Sequence, residues 1–101
     1  MKIEIIPEAQ DDILNGMFWY ESQKTGLGIA FFSEIERNLS VISQNPKLGR
    51  EFRSKFRRFV MKQFPFCVYY VVESEKIVFL GFIHAHRNPN KISEWLRSRL
   101  Q

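Results

Sequence analysis

His84 and His86 stand two residues apart at the end of a run rich in Val, Ile, Phe and Leu. In an extended strand that spacing puts both imidazoles on one side. Arg87 follows directly, and Arg57, Arg58, Lys62 and Tyr70 lie upstream. Imidazoles, and less readily a phenol, take and return protons, while guanidinium and ammonium groups neutralise charge on a phosphate. His84, His86 and Tyr70 as acid–base groups, with Arg57, Arg58, Lys62 and Arg87 as cations, are the residue types that metal-independent RNA cleavage needs. Glu51 is a more distant proton acceptor. Without cleavage, the same seven residues make a basic and aromatic binding surface. A metal pair at His84 and His86 is a weaker reading, because no Cys or clear carboxylate accompanies them at ligand spacing. Either histidine can also simply hydrogen-bond at a strand end. Adjacent strand residues point to opposite faces, so Arg57 and Arg58 cannot both serve one site. Arg58 is the candidate for it.

Three short apolar runs must position these groups. Phe56–Lys62, Cys67–Glu73 and Ile77–Ile83 are rich in Val, Ile, Phe and Tyr and separated by turn chemistry, which predicts three consecutive strands. The Ser74-Glu75-Lys76 break is too short for anything but an antiparallel connection. Pro65, awkward inside a central strand, marks the corner between the first two.

Upstream, Lys2–Ile6 alternates as a first strand and Pro7 ends it. Ala9, Ile13, Met17 and Tyr20 then repeat at helical spacing, with Leu14 and Phe18 widening the apolar face. Gly16 predicts close packing against a neighbour. Thr25–Gly28 is a turn. Leu27, Phe31, Ile35, Leu39 and Ile42, joined by Ala30, form a second stripe opposite Glu34, Glu36, Arg37 and Asn38. The two helices make an antiparallel hairpin, stopped by Asn45-Pro46. Lys47–Lys55 reads as a basic loop. Asn88-Pro89-Asn90 reads as a turn before a last helix capped by Asn90 or Ser93, anchored by Trp95 and carrying Ile92, Leu96 and Leu100. Trp19 and Phe32 fall off the main stripes and suggest a partner surface. The prediction is a single α+β domain over residues 1–101: an N-terminal strand, an antiparallel helical hairpin, a three-stranded antiparallel meander joined by the first strand, and a short C-terminal helix.

With 45% hydrophobic residues and ten Phe, the chain can build a core without staples. Fifteen Lys and Arg against eleven Asp and Glu give a net charge of +4, which favours nucleic acid or an acidic protein as partner. The one cysteine, Cys67, cannot form an intramolecular disulfide and reads as a buried small hydrophobe in a reducing compartment. No signal peptide and no membrane-length apolar run is visible, so a cytoplasmic protein without membrane contact is expected. Nothing calls for a cofactor.

Taken in order, Pro7-Glu8-Ala9, Gly26-Leu27-Gly28 with Phe31, Asn45-Pro46 with Gly49, Phe56-Arg57-Arg58-Phe59, Phe64–Tyr70 and His84–Pro89 resemble the RelE/ParE toxin superfamily of type II toxin–antitoxin systems, and its ParE-like branch in particular. The resemblance covers nearly the whole chain. It implies the same strand–helix–helix–meander fold. It also implies a growth-inhibiting toxin, of the kind associated with plasmid stabilisation, neutralised by a small acidic antitoxin encoded beside it. The antitoxin would cover the sheet's open face or the outer side of the helical hairpin. ParE-like members are associated with poisoning DNA gyrase, whereas RelE-like members cut mRNA on the ribosome. RelE-like nucleases typically end with a Tyr or a His-Tyr pair after the last strand. Here Arg87-Asn88-Pro89 occupies that place and no tyrosine follows Tyr70. The nuclease alternative would rest on Arg58, His84, His86 and Arg87. A non-toxic binding module of the same fold is the second alternative.

Overall fold

The computed structural model describes residues 1–86 and 88–100. Along the chain run β1 (Lys2–Ile5), α1 (Pro7–Gln23), α2 (Leu27–Gln44), β2 (Arg50–Phe52), β3 (Phe56–Val60), β4 (Phe66–Glu73), β5 (Lys76–His84) and α3 (Pro89–Arg99). The strands form one sheet in the order β1-β5-β4-β3-β2. The meander β3-β4-β5 is antiparallel, as its short connections require. β1 lies parallel to the start of β5, from Lys2 opposite Lys76 to Ile5 opposite Phe79. The long connection that a parallel pair needs is made by the helical hairpin together with β2, β3 and β4.

β2 is the addition. It forms inside the stretch read as a basic loop, pairing Arg50 with Arg58 and Phe52 with Phe56. Three residues carry too little periodicity to announce a strand. Arg53 and Ser54, both at positive φ, make the tight return into β3.

Both helices bury the stripes their spacing dictates: Ala9, Ile13 and Tyr20 on α1, and Phe31, Ile35, Leu39 and Ile42 on α2. Gly16 is required by close approach, since a Cβ there would lie 2.6 Å from the Phe31 ring. Tyr20, Phe31, Phe64 and Phe66 interlock edge-on or tilted at 4.8–6.1 Å between the hairpin and the sheet. Each such ring contributes about 1.5–3 kcal/mol by burial. Three expectations fail here. Leu14 and Phe18 do not widen the buried face but stand 48% and 72% exposed. Ala30 is likewise exposed. Glu34 and Asn38, expected on the polar side, are buried. Burial is tolerated because they satisfy each other: the Asn38 amide donates to the Glu34 carbonyl at 2.7 Å, and Arg37 pairs with the Glu34 carboxylate.

Gly26, at φ 91°, precedes α2 and has no side chain to cap it. The cap comes from the neighbouring helix, where the Glu21 carboxylate accepts the Gly26 and Gly28 N–H groups at 3.0–3.1 Å. Those two bonds hold the Glu21 carboxyl below its ordinary pKa.

The last helix starts earlier than expected. Asn88, not Asn90 or Ser93, is the cap, its side chain accepting the Asn90 N–H at 3.0 Å. Pro89 suits the first helical position because its missing N–H is not needed there. α3 covers part of the sheet's second face, burying Cys67, Tyr69, Leu80, Ile92 and Leu96 in a separate core. Trp95 anchors it, with its ring 6.2 Å from that of Tyr69. Tyr69 faces Gly81 while Tyr70 faces Phe79, so Leu80 is a bulge. The bulge brings Gly81 under Trp95, where any Cβ would collide with the indole. Among the described residues, no helix is long and apolar enough to cross a membrane.

Candidate functional site

β1 ends at Ile5, so beyond Phe79 β5 is paired only with β4 and its other edge is left without a strand. A cleft of about 640 Å³ opens along that free edge, between α1 and the end of β5. Its walls include Trp19, Tyr20, Phe66, Phe82 and Trp95, and its polar groups include Asn15, His84 and His86. The two histidines therefore share one cleft, with ring centroids 5.3 Å apart. His84 packs edge-on against Phe66 at 5.8 Å. Its Nδ1 accepts the His86 backbone N–H at 3.4 Å, which leaves Nε2 to carry the proton of the neutral ring. Lys62 is exposed in the corner between β3 and β4. That corner abuts the same end of β5, since the Ala85 N–H donates to the Pro65 carbonyl at 2.7 Å.

Arg57 and Tyr70 are cross-strand partners on the hairpin side of the sheet and turn to a different task. Tyr70 is fully buried. Its hydroxyl accepts the Gly49 N–H and donates to the Pro46 carbonyl, both at 2.8 Å. Arg57 donates to the Gly49 carbonyl at 2.7 Å and lies 3.7 Å from Glu51. Together they stitch the Asn45–Gly49 connection to the sheet. Burial pushes the Tyr70 phenol pKa up, so it stays protonated and can donate.

Arg58 points the other way, onto the α3 side, beside Cys67 and Tyr69. Burial raises the Tyr69 phenol pKa, and the Arg58 charge offsets part of that rise. The Arg58 Nε is buried without a hydrogen-bond partner among the described residues. The sheet thus separates Arg58 from the two histidines, which belong to the hairpin side with Phe66. Arg87 lies outside the described residues. Among the described residues, the cleft joins two imidazoles and has no guanidinium in its lining; Arg99, which reaches its Asp12, is committed to that carboxylate. No three His, Cys, Asp or Glu side chains gather as a metal set would among the described residues.

Two features escaped the sequence. Arg50 was hidden in the presumed loop and emerges only through the β2–β3 register, directly opposite Arg58. The second is apolar: Leu14 and Phe18, one turn apart on α1, and Ile29 on α2 face solvent, Ile29 being 70% exposed, and they join Trp19 and Phe32, which are exposed as their off-stripe positions suggest.

No protein-family model matches the sequence. No curated protein matches it either. Among solved structures, a chain of the "Chromosomal ParDE TA system from P. aeruginosa" superposes with a TM-score of 0.76. The match covers 85% of this chain and 97% of that one at 16% identity. The strand, the helical hairpin, the meander and the closing helix are thus the fold of a chain from a ParDE toxin–antitoxin structure.

Proposed function

We propose that this chain is the toxin of a type II toxin–antitoxin pair, of the ParE-like kind, held inactive by a small acidic antitoxin. The observation that carries the reading is the near-complete superposition on a chain of a solved ParDE system. Two surface properties support it. Apolar side chains that a solitary domain would bury stand exposed on the helical hairpin. The net charge of +4 suits an acidic partner. Binding surfaces rather than catalysis suffice for poisoning a large target such as DNA gyrase.

Arg58 lies across the sheet from His84 and His86, so those three cannot converge on one phosphate as RNA cleavage through them would need, and we favour the gyrase-directed form. Purified protein titrated into a gyrase supercoiling assay and into a ribosome-bound message separates the two. Inhibited supercoiling with intact message is the expected result. Message cleaved by the parent chain and left intact by His84→Ala/His86→Ala would assign the nuclease instead.

A further inference from the structure

Arg50 and Arg58 are direct cross-strand partners on the sheet face that α3 leaves open. Like charges so placed repel and weaken a strand pair. No carboxylate lies within ion-pairing distance of either among the described residues. Arg57, one residue away, has both a carbonyl and Glu51 as partners. The Nε of Arg58 is orphaned as well as buried, which is unfavourable unless something supplies an acceptor. Beside the pair, β3 extends past β2, so Phe59 and Val60 form a free strand edge bordering a groove of about 420 Å³.

We propose that the Arg50–Arg58 pair and this edge receive a carboxylate-bearing, aliphatic segment of a partner protein in extended form. The inference deepens the toxin–antitoxin reading and rests on it, by giving the acidic partner a place to bind. Its chemistry follows from the neighbours. Val60 and Leu48 are 49% and 39% exposed and offer aliphatic contact. Val60 shares a face with Arg58 two residues earlier. A chain carrying Glu and an aliphatic residue at alternate positions therefore meets both. Single-stranded nucleic acid is the poorer fit. It needs exposed rings for base stacking, and Phe52, which lines the groove on the arginines' face, is already packed against Arg53 and Tyr69.

The test is fluorescence anisotropy with the full chain and three labelled probes: a peptide of Glu-Ser-Val-Ser repeats, the same peptide with Gln for Glu, and an oligouridine of matching charge. The Glu peptide should bind and weaken with salt, the Gln peptide should not bind, and the oligouridine should bind less well than the Glu peptide. Arg50→Gln/Arg58→Gln should weaken the Glu peptide about tenfold or more, as expected for charge-assisted hydrogen bonds. Arg50→Gln alone, at an exposed position where folding is not at stake, should show a smaller loss in the same direction. Lys24→Gln/Lys91→Gln, removing equal charge elsewhere, should leave the affinity within about twofold, as screened surface charges do. Equal binding by parent and Arg50→Gln overturns the proposal, and so does absent binding of the Glu peptide. Tighter oligouridine binding lost in the arginine variants would assign the pair to nucleic acid. Growth arrest on expression of the chain alone involves none of these probes, so a failed site and a failed toxin reading register in different assays.

Discussion

Arg99, next to the end of the chain, grips Asp12 of the first helix through both guanidinium nitrogens, at 2.5 and 3.1 Å. The pair stands over the stretch of β5 that β1 leaves uncovered. Arg99 also donates to the Leu80 carbonyl at 3.0 Å, and Asp12 accepts the Phe82 N–H at 3.0 Å. Two side chains thus do for the sheet edge what a neighbouring strand would do, at the bulge where regular pairing fails. Open edges invite unwanted pairing, and covering them is a general device of β proteins. Arg99 is held in place by Trp95, its guanidinium carbon 4.0 Å from the ring centre.

Asp12→Ala should therefore destabilise the fold by about 2–4 kcal/mol, because the arginine and the Phe82 N–H lose their partner in a largely buried setting. Urea unfolding of Asp12→Ala, Arg99→Ala and the double variant measures it. The double variant should cost clearly less than the sum of the singles.

Glu21 predicts a pH effect. Its folded pKa is lowered by the Gly26 and Gly28 N–H groups, so its contribution is fully present above the unfolded value. The contribution is lost as pH falls through the folded value. Glu21→Gln should be less stable than the parent at neutral pH, and the gap should close in acid below the ordinary glutamate range. Urea midpoints for both proteins across that range provide the check; a gap that widens in acid contradicts the capping role.

Tyr70→Phe removes one hydroxyl that serves two backbone groups, Gly49 N–H and Pro46 C=O. A loss of about 1–3 kcal/mol is expected for a buried pair left unsatisfied. Since Tyr70 has no exposed surface, any activity should survive in whatever fraction stays folded. Denaturant melts and an activity measurement on the same preparation separate the two effects.

Gly81→Ala puts a methyl within 2.8 Å of both Trp95 Cζ2 and Arg99 Nη1. Overpacking of this kind costs about 1–3 kcal/mol, and α3 should lift. A red shift of tryptophan emission would report it, and combining the change with Trp95→Ala should recover part of the loss.

What the sequence disclosed followed from period and punctuation. The α2 stripe from Leu27 to Ile42, the Pro65 corner and the Ser74-Glu75 turn each needed only local information, and all stand where expected. What it hid depended on partners distant in sequence. β2 exists because β3 offers it a register. Glu34 is inside because Asn38 and Arg37 satisfy it there. Leu14 and Phe18 looked like core because a solitary helix gives no sign of how wide its buried arc will be. The candidate site was legible in part: the opposition of Arg57 to Arg58 follows from strand alternation, whereas His84 and His86 share a cleft although His86 lies in the turn past β5, where that alternation no longer applies. That Arg57 and Tyr70 would be spent on holding a loop was not readable, because the loop's carbonyls approach them only in the folded chain.

The central claim is a growth-arresting protein silenced by a partner, and paired expression in a bacterium tests it most directly. The chain alone should stop growth, and co-expression with the product of the adjacent reading frame should restore it. Phe18→Ser/Ile29→Ser, changed on the exposed hairpin face, should fold normally, still stop growth, and be rescued poorly. Normal growth at high yield of folded, unmodified protein would contradict the account.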